Sequence, residues 1–594
     1  MSFGYANAVP SPLDILKSTF GFPAFRGRQS EVIDRVMGGQ NTLAVMPTGA
    51  GKSLCYQVPA LVLPGTCVVV SPLIALMHDQ LRAAEAVGIR AATLTSVDTN
   101  QMETIERFKS GTLDLLYVAP ERASGGGFRD LLDRAPLALF AIDEAHCVSE
   151  WGHDFRPDYR LLRPLLDRFG HVPRLALTAT ADAHTRADIL AQLGIPDDGL
   201  ILAGFDRPNI RYAMSPRSGT TRQVADVVAA TPGPGIVYVQ SRAGTERMAE
   251  ALGAAGRPVR AYHAGLDPAV RAANQSAFVA SEDMVMCATI AFGMGIDKPD
   301  VRFVAHAGLP KSIEAYYQET GRAGRDGDPA VAHLFWGADD FARARQRLAE
   351  IPEDRQSGER ARLAALGGLV ETGGCRRAVL LRHFGENPPE NCGNCDNCLS
   401  PPARTDLTQL AQKLLSAVYR TGQMFGVGHI EAVLTGQANE KVTKAGHDRL
   451  SVFGIVKGED VALVKPVARA LLLRDALGQT EHGGLALGPS ARAILKGEAN
   501  FEIAIPPKTI RQKRREQGAA NPVGNPLFEA LRACRRDLAA ETGVPPYVIF
   551  HDSTLREMAA ARPSSLAELG RLGGVGARKL DAYGDAFLAV VRQY

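Results

Sequence analysis

Short apolar runs recur along the first 340 residues of this chain, separated by stretches of helical periodicity. Residues 43–46, 68–70, 115–118, 137–142 and 175–177 offer almost nothing polar on either side. A strand apolar on both faces has to be covered on both faces, so the pattern predicts a parallel sheet sandwiched between helices. The pattern then restarts at residues 235–239, 285–288 and 301–304. Two tandem α/β lobes follow, joined near residues 205–220, where Pro208, Pro216 and Gly219 interrupt the periodicity.

The chain has 594 residues, too many for one core, and the usual domain size predicts roughly three to five domains. Beyond Trp336 the α/β pattern ends. Residues 340–372 are rich in Arg, Leu, Ala and Glu and read as helices, and a tight cysteine cluster follows. Residues 405–498 read as helices with a hairpin, and 525–594 as a last helical module. Between them, 499–524 hold Pro506, Pro507, Lys508, Arg511, Lys513, Arg514, Arg515 and Gly518, a composition that suits a solvated linker. No apolar run approaches the ~20 residues that span a bilayer, and the N-terminus lacks the basic and apolar regions of a secretory signal. A cytoplasmic location is expected. The net charge of +3 gives no bulk argument for nucleic acid, so any such contact has to come from local basic patches.

Residues 46–53 read M-P-T-G-A-G-K-S and sit between a strand and a helix. Glycines let backbone amides approach phosphate oxygens, and the helix N-terminus favours their charge. Thr48, Gly49 and Gly51 form this loop, Lys52 is placed to reach the terminal phosphates, and Ser53 to ligate magnesium. Met46 stands where the strict pattern has its first glycine. About 90 residues on, Asp143 and Glu144 end the strand 137–142. An aspartate there holds Mg²⁺, and its neighbour takes a proton from the attacking water. Together the two motifs predict an ATPase. In the second lobe, residues 318–327 read Q-E-T-G-R-A-G-R-D-G. An arginine aimed at the γ-phosphate stabilises transition-state charge and is worth ~10³–10⁵ in rate.

Nine cysteines are unevenly spread, and Cys392, Cys395 and Cys398 follow a C-x-x-C-x-x-C pattern with Cys375 upstream. Four thiolates suit tetrahedral zinc with no open coordination position, hence a structural role. A ferredoxin-type run requires a further cysteine where Pro402 stands, which argues against an iron–sulfur cluster.

These motifs, in this order, resemble those of superfamily 2 and, more narrowly, of the RecQ DNA helicases. Residues 16–29, L-K-S-T-F-G-F-P-A-F-R-G-R-Q, resemble the RecQ adenine-recognition motif. The resemblance implies that Gln29 hydrogen-bonds adenine between Phe22 and Arg26, Phe22 replacing a common tyrosine. Residues 318–327 resemble helicase motif VI, implying Arg325 as the finger, with Arg322 and Gln318 beside it. Residues 149–157, S-E-W-G-H-D-F-R-P, resemble the aromatic-rich loop that couples DNA binding to hydrolysis. Trp151 and Phe155 offer faces to unstacked bases, and Arg156 offers charge. Residues 291–298 resemble motif V, and the cysteines follow the RecQ zinc-binding order. Residues 405–498 resemble the RecQ winged helix and 525–594 the HRDC domain, with Tyr547 a candidate for single-strand stacking.

The resemblance implies helicase lobes over 1–207 and 208–338, a zinc-binding subdomain over 339–404, a winged helix over 405–498, the linker and an HRDC domain. The activity it implies is an ATP- and Mg²⁺-dependent 3′-to-5′ DNA helicase of recombination and repair, including the SOS response. Expected partners are single-stranded, duplex or forked DNA, a single-strand-binding protein and a topoisomerase. Two alternatives stay open at this point: a superfamily 2 translocase that does not unwind, and a DNA-junction binding protein without productive ATPase.

Overall fold

The computed structural model describes residues 10–594 except 151–154, 291, 293–297, 349, 481–483 and 506–524. In the first lobe, β1 (Thr42–Val45), β2 (Thr66–Val70), β3 (Ala91–Leu94), β4 (Leu115–Val118), β5 (Leu137–Ile142), β6 (Arg174–Thr178) and β7 (Leu200–Leu202) form one sheet. Its order is β3-β4-β2-β5-β6-β1-β7, and every pairing is parallel. β1, β2 and β4 are buried at every position, as strands covered on both faces must be.

The second lobe contains β8 (Ile210–Pro216), β9 (Gly235–Tyr238), β10 (Val259–Tyr262), β11 (Val285–Ala288), β12 (Phe303–His306) and β13 (Ala330–Trp336). Their order is β10-β11-β9-β12-β13-β8, again all parallel. The third predicted run of this lobe, 301–304, lies two residues early: Arg302, mostly buried, pairs with the buried carboxylate of Asp326 just before β12 begins. The edge strands β8 and β10 carry Arg211 and Arg260 among their apolar residues, so they lack the wholly apolar signature of the central strands.

Beyond the lobes, helices Ala338–Leu348, Glu353–Glu371 and Arg376–His383 lead into the cysteine cluster. The next module packs helices Thr408–Arg420, Val427–Thr435 and Val464–Leu473 against the hairpin of β15 (Leu477–Gln479) and β16 (Leu485–Leu487). The segment expected to open the linker is instead a strand, β17 (Glu502–Ile505), antiparallel to β14 (Ala403–Asp406). Phe501 and Ile503 are buried and tie it into the module's core, an alternation the proline- and lysine-rich composition downstream obscured. The rest of that linker, 506–524, lies outside the described residues. The last module folds helices Pro526–Thr542, Asp552–Ala561 and Ala577–Val591 around Leu531, Phe550, Met558 and Phe587.

Candidate active site and metal centre

The phosphate loop runs from the end of β1 to the helix Leu54–Val62. Gly49 and Gly51 both take positive φ, 84° and 73°, which side chains other than glycine rarely adopt. A Cβ on Gly51 would stand 2.5 Å from Nε2 of Gln29, so the glycine also makes room for the glutamine. Gln29 is buried, donates to the carbonyls of Ala50 (2.8 Å) and Gly51 (3.3 Å), and accepts from the Arg26 amide (2.8 Å). The residue expected to read adenine is thus tied to the loop that holds the phosphates. The Arg26 guanidinium lies 5.7 Å from the Phe22 ring centroid, so both flanking groups stand at the same mouth. Lys52 curls over the loop, its Nζ donating to the Met46 carbonyl at 3.2 Å.

Asp143 follows β5. Its amide donates to the Val70 carbonyl of β2 (2.9 Å), and Gln80 donates to its carboxylate (3.3 Å). Burial, then the neighbouring Glu144 charge, push its carboxyl up to about 6, against the pull of Lys52. Mg²⁺ would remove that cost by supplying positive charge at the buried oxygens. Glu144 sits at φ 47°, a left-handed conformation in which a non-glycine residue is strained, as functional residues often are. His146 Nδ1 lies 3.3 Å from the Glu144 carboxylate and 3.0 Å from the Thr178 hydroxyl at the end of β6. Tyr159, fully buried, donates to the Asp143 carbonyl at 2.9 Å. Sequence reasoning assigned no role to Gln80, His146 or Tyr159. The D-E-A-H run held a signal for His146; Gln80 and Tyr159 lie on helices with no distinguishing pattern.

The second lobe meets this cleft through the turn after helix Ile313–Thr320. A Cβ on Gly49 would lie 3.4 Å from Arg325 Cγ, and one on Gly321 would lie 3.4 Å from Thr48. The arginine-bearing turn therefore packs directly on the phosphate loop. Arg322 is buried there, and Gln318 is half-buried on the helix's last turn. Glu319 holds His306 at 2.6 Å, anchoring the helix to β12.

In the aromatic-rich loop, Arg156 donates to the Pro72 carbonyl at 2.7 Å, and the Arg160 guanidinium lies 5.3 Å from the Phe155 ring centroid. Trp151 lies outside the described residues, as do positions 291 and 293–297 of the expected motif V. Tyr547 is far from this loop in the chain and lines a crevice between the last module and the second lobe, with Lys298, Asp326 and Arg535. The glycine segment that precedes helix Ala577–Val591 also serves docking, since the Gly574 amide donates to the Gly21 carbonyl at 3.0 Å.

The sulfurs of Cys375, Cys392, Cys395 and Cys398 all lie within 4.8 Å of one another. Cys392 and Cys398 are 3.9 Å apart, and Cys395 and Cys375 are 4.0 Å apart. Tetrahedral zinc with four thiolates sets sulfurs about 3.8 Å apart, so the four residues fit the ion. It would lock the N-terminus of helix Arg376–His383 to the turn 392–398, a structural task with no open position for chemistry.

Comparison with known proteins agrees with this geometry. Family models match the chain as DEAD/DEAH box helicase over 26–189 and Helicase conserved C-terminal domain over 221–327. RecQ zinc-binding matches over 338–399, RQC domain over 401–512 and HRDC domain over 525–591. The chain is 44% identical to the ATP-dependent DNA helicase RecQ of Haemophilus influenzae, over 98% of this chain and 96% of that protein. It is 38% identical to the protein of the same name from Bacillus subtilis, over 98% of each.

Proposed function

The chain belongs to the RecQ family, and from that premise we propose how its residues divide the work of an ATP- and Mg²⁺-dependent DNA helicase. It unwinds duplex DNA in the 3′-to-5′ direction and serves recombination and repair. One observation carries the residue assignments: Thr48 and Gly49 of the phosphate loop lie against Gly321 and Arg325 of the second lobe, in the same cleft as Asp143 and Glu144. Gln29, Phe22 and Arg26 select adenine. Thr48, Gly49, Gly51, Lys52 and Gln318 hold the phosphates. Ser53 and Asp143 hold Mg²⁺, which neutralises phosphate charge when bound. Glu144 accepts the proton of the attacking water, and its strained backbone and His146 fix its direction. Arg325 meets the γ-phosphate, with Arg322 beside it.

Trp151, Phe155 and Arg156 engage the single strand. Arg156 is tied to Pro72, just after β2, so movement of this loop reaches the sheet edge that carries Asp143. Tyr547 stacks on DNA only when the last module leaves its crevice. Cys375, Cys392, Cys395 and Cys398 hold zinc. The domain limits 1–207, 208–338, 339–404 and 525–594 belong to the same proposal, with the module set at 405–498 from the sequence extended through β17 to Ile505. So do a single-strand-binding protein and a topoisomerase as partners, and a cytoplasmic location; these rest on the family. No helix among the described residues is long and apolar enough to cross a membrane.

Strand separation of 3′-tailed and 5′-tailed duplexes, with ATP and Mg²⁺, tests this reading. Wild type is expected to open the 3′-tailed substrate alone, and Lys52→Ala to lose the activity by at least about 10³-fold. Hydrolysis without strand separation would replace the reading with a translocase.

A further inference from the structure

The segment joining the lobes holds one buried cation that the mechanism above does not use. Arg207 lies between β7 and β8 and is 9% exposed. Its Nη1 donates to the Thr48 carbonyl of the phosphate loop at 2.7 Å and to the Gly321 carbonyl of the second lobe at 3.0 Å. Its Nη2 donates to the carbonyls of Ala323 (2.8 Å) and Gly324 (2.9 Å). Among the described residues its acceptors are all main-chain carbonyls. Gly321 and Ala323 flank Arg322, and Gly324 directly precedes Arg325. One planar guanidinium therefore grips the backbone on both sides of Arg322, up to the candidate finger, and, with the same nitrogen, the loop the finger must reach.

The joining segment is itself held from behind. Asn209 Nδ2 donates to the carbonyls of Gly324 and Asp328, both at 2.8 Å. The Pro208 carbonyl accepts from Arg377 (3.2 Å) and from Asn394 (3.0 Å), neighbours in sequence of the zinc-site cysteines. Arg207 thus projects from a backbone fixed on two sides. A buried cation is costly unless its hydrogen bonds are met, and here the fork geometry meets four carbonyls at once.

We propose that Arg207 is a positioning residue for ATP hydrolysis: it sets the register of the arginine-bearing turn 321–325 on the phosphate loop, and so the reach of Arg325 to the γ-phosphate. The inference rests on the reading of Arg325 as the finger. Lysine carries the charge but cannot span both lobes as a planar fork. A displacement of about 1 Å at a catalytic group costs on the order of 10²-fold in rate.

The test is DNA-stimulated ATPase of the full chain for wild type, Arg207→Lys, Arg207→Gly and Arg325→Ala, with thermal melting of each. Arg207→Lys is expected to keep the wild-type melting temperature and the KM for ATP within about threefold, while kcat falls about 10-fold; for Arg207→Gly the fall in kcat is about 100-fold. Millimolar guanidinium is expected to restore part of the Arg207→Gly rate and none of the Arg325→Ala rate. Wild-type kcat in Arg207→Lys overturns the proposal. A raised KM with unchanged kcat also overturns it, because Arg207 would then serve nucleotide binding. If Arg207→Gly does not fold, the Arg207→Lys arm still decides. Full activity in Arg325→Ala would instead remove the finger assignment, an outcome separate from any result at position 207.

Discussion

The zinc-binding subdomain and the HRDC domain are both small helical additions to the same pair of lobes, yet they are attached by opposite physics. The zinc subdomain has no core of its own. Leu366, Leu369, Leu380, Leu381, Phe384, Cys375 and Cys395 belong to one continuous apolar cluster with Phe205, Tyr316 and Tyr317 of the lobes. Phe384 stacks on Phe205 at 4.6 Å between centroids, and Tyr317 meets Phe205 edge-on at 6.0 Å. The HRDC domain buries its own apolar residues and touches the lobes mostly through charge. Arg532 and Arg535 meet Glu282 at 2.7 and 2.8 Å, and Arg556 meets Asp328 at 2.6 Å, all on the second lobe. Arg578 reaches the Glu85 carbonyl at 2.7 Å on the first. Removing apolar contact from a shared core costs the whole fold, whereas a charged contact can part and be resolvated. One addition shares the core of the motor; the other rests on both lobes through ion pairs and main-chain contacts.

The largest effect that would break this contrast is at the metal. Cys395→Ser is expected to abolish stoichiometric zinc by elemental analysis and to lower the melting temperature of the lobes by about 10 °C. Lobes that melt as before would show the subdomain to be as detachable as the HRDC domain. A smaller and more local effect is expected at the charged contact. Glu282→Ala is expected to weaken HRDC docking by about 1–2 kcal/mol, because buried Arg535 keeps Asp552 (2.7 Å) and the Phe550 carbonyl (2.8 Å) as partners. Small-angle scattering would read the release as a larger radius of gyration, increasing further with salt, while the melting temperature of the lobes stays unchanged.

The smallest expected effect depends on pH. Burial pulls the Lys579 ammonium down to about 8, and the same residue lies 5.9 Å from the Phe550 ring centroid in the HRDC core. A lysine depressed in the folded state favours folding above its ordinary value near 10.4, and that contribution is lost as pH falls through about 8. The calorimetric HRDC transition of the full chain is therefore expected to rise between pH 7 and 10, and Lys579→Met to flatten the rise. An equal slope in both proteins would show that the side chain is solvated in the folded domain.

Much of the candidate site is legible in the order of residues alone. The phosphate loop, Asp143–Glu144 and the cysteine cluster are contiguous stretches in which chemistry dictates residue type at fixed short spacing. The central strands are legible for the same reason, since a strand covered on both faces permits little but apolar residues. The edge strands β8 and β10 are not: β10 is only partly buried along its length and tolerates Arg260, and β8 carries Arg211 although the zinc-binding subdomain covers its outer edge through Arg377 and Asp396. Strand β17 is hidden for a different reason. It pairs with β14, and its short alternation sits against a proline- and lysine-rich run that dominates the composition.

Residue types at short spacing suffice to say that this chain binds and hydrolyses ATP, carries four cysteines spaced for zinc, and resembles one helicase family from end to end. Those conclusions depend on residues that are neighbours in the chain. Only the folded molecule ties Gln29 to the phosphate loop, clasps Thr48 through Arg207 to the turn bearing Arg325, and rests the HRDC domain on both lobes. The acceptors of Arg207 are backbone carbonyls up to 159 residues away. Any residue type supplies a carbonyl, so a bond to one leaves no mark in the sequence of the partner, and only the fold can say which carbonyls stand together.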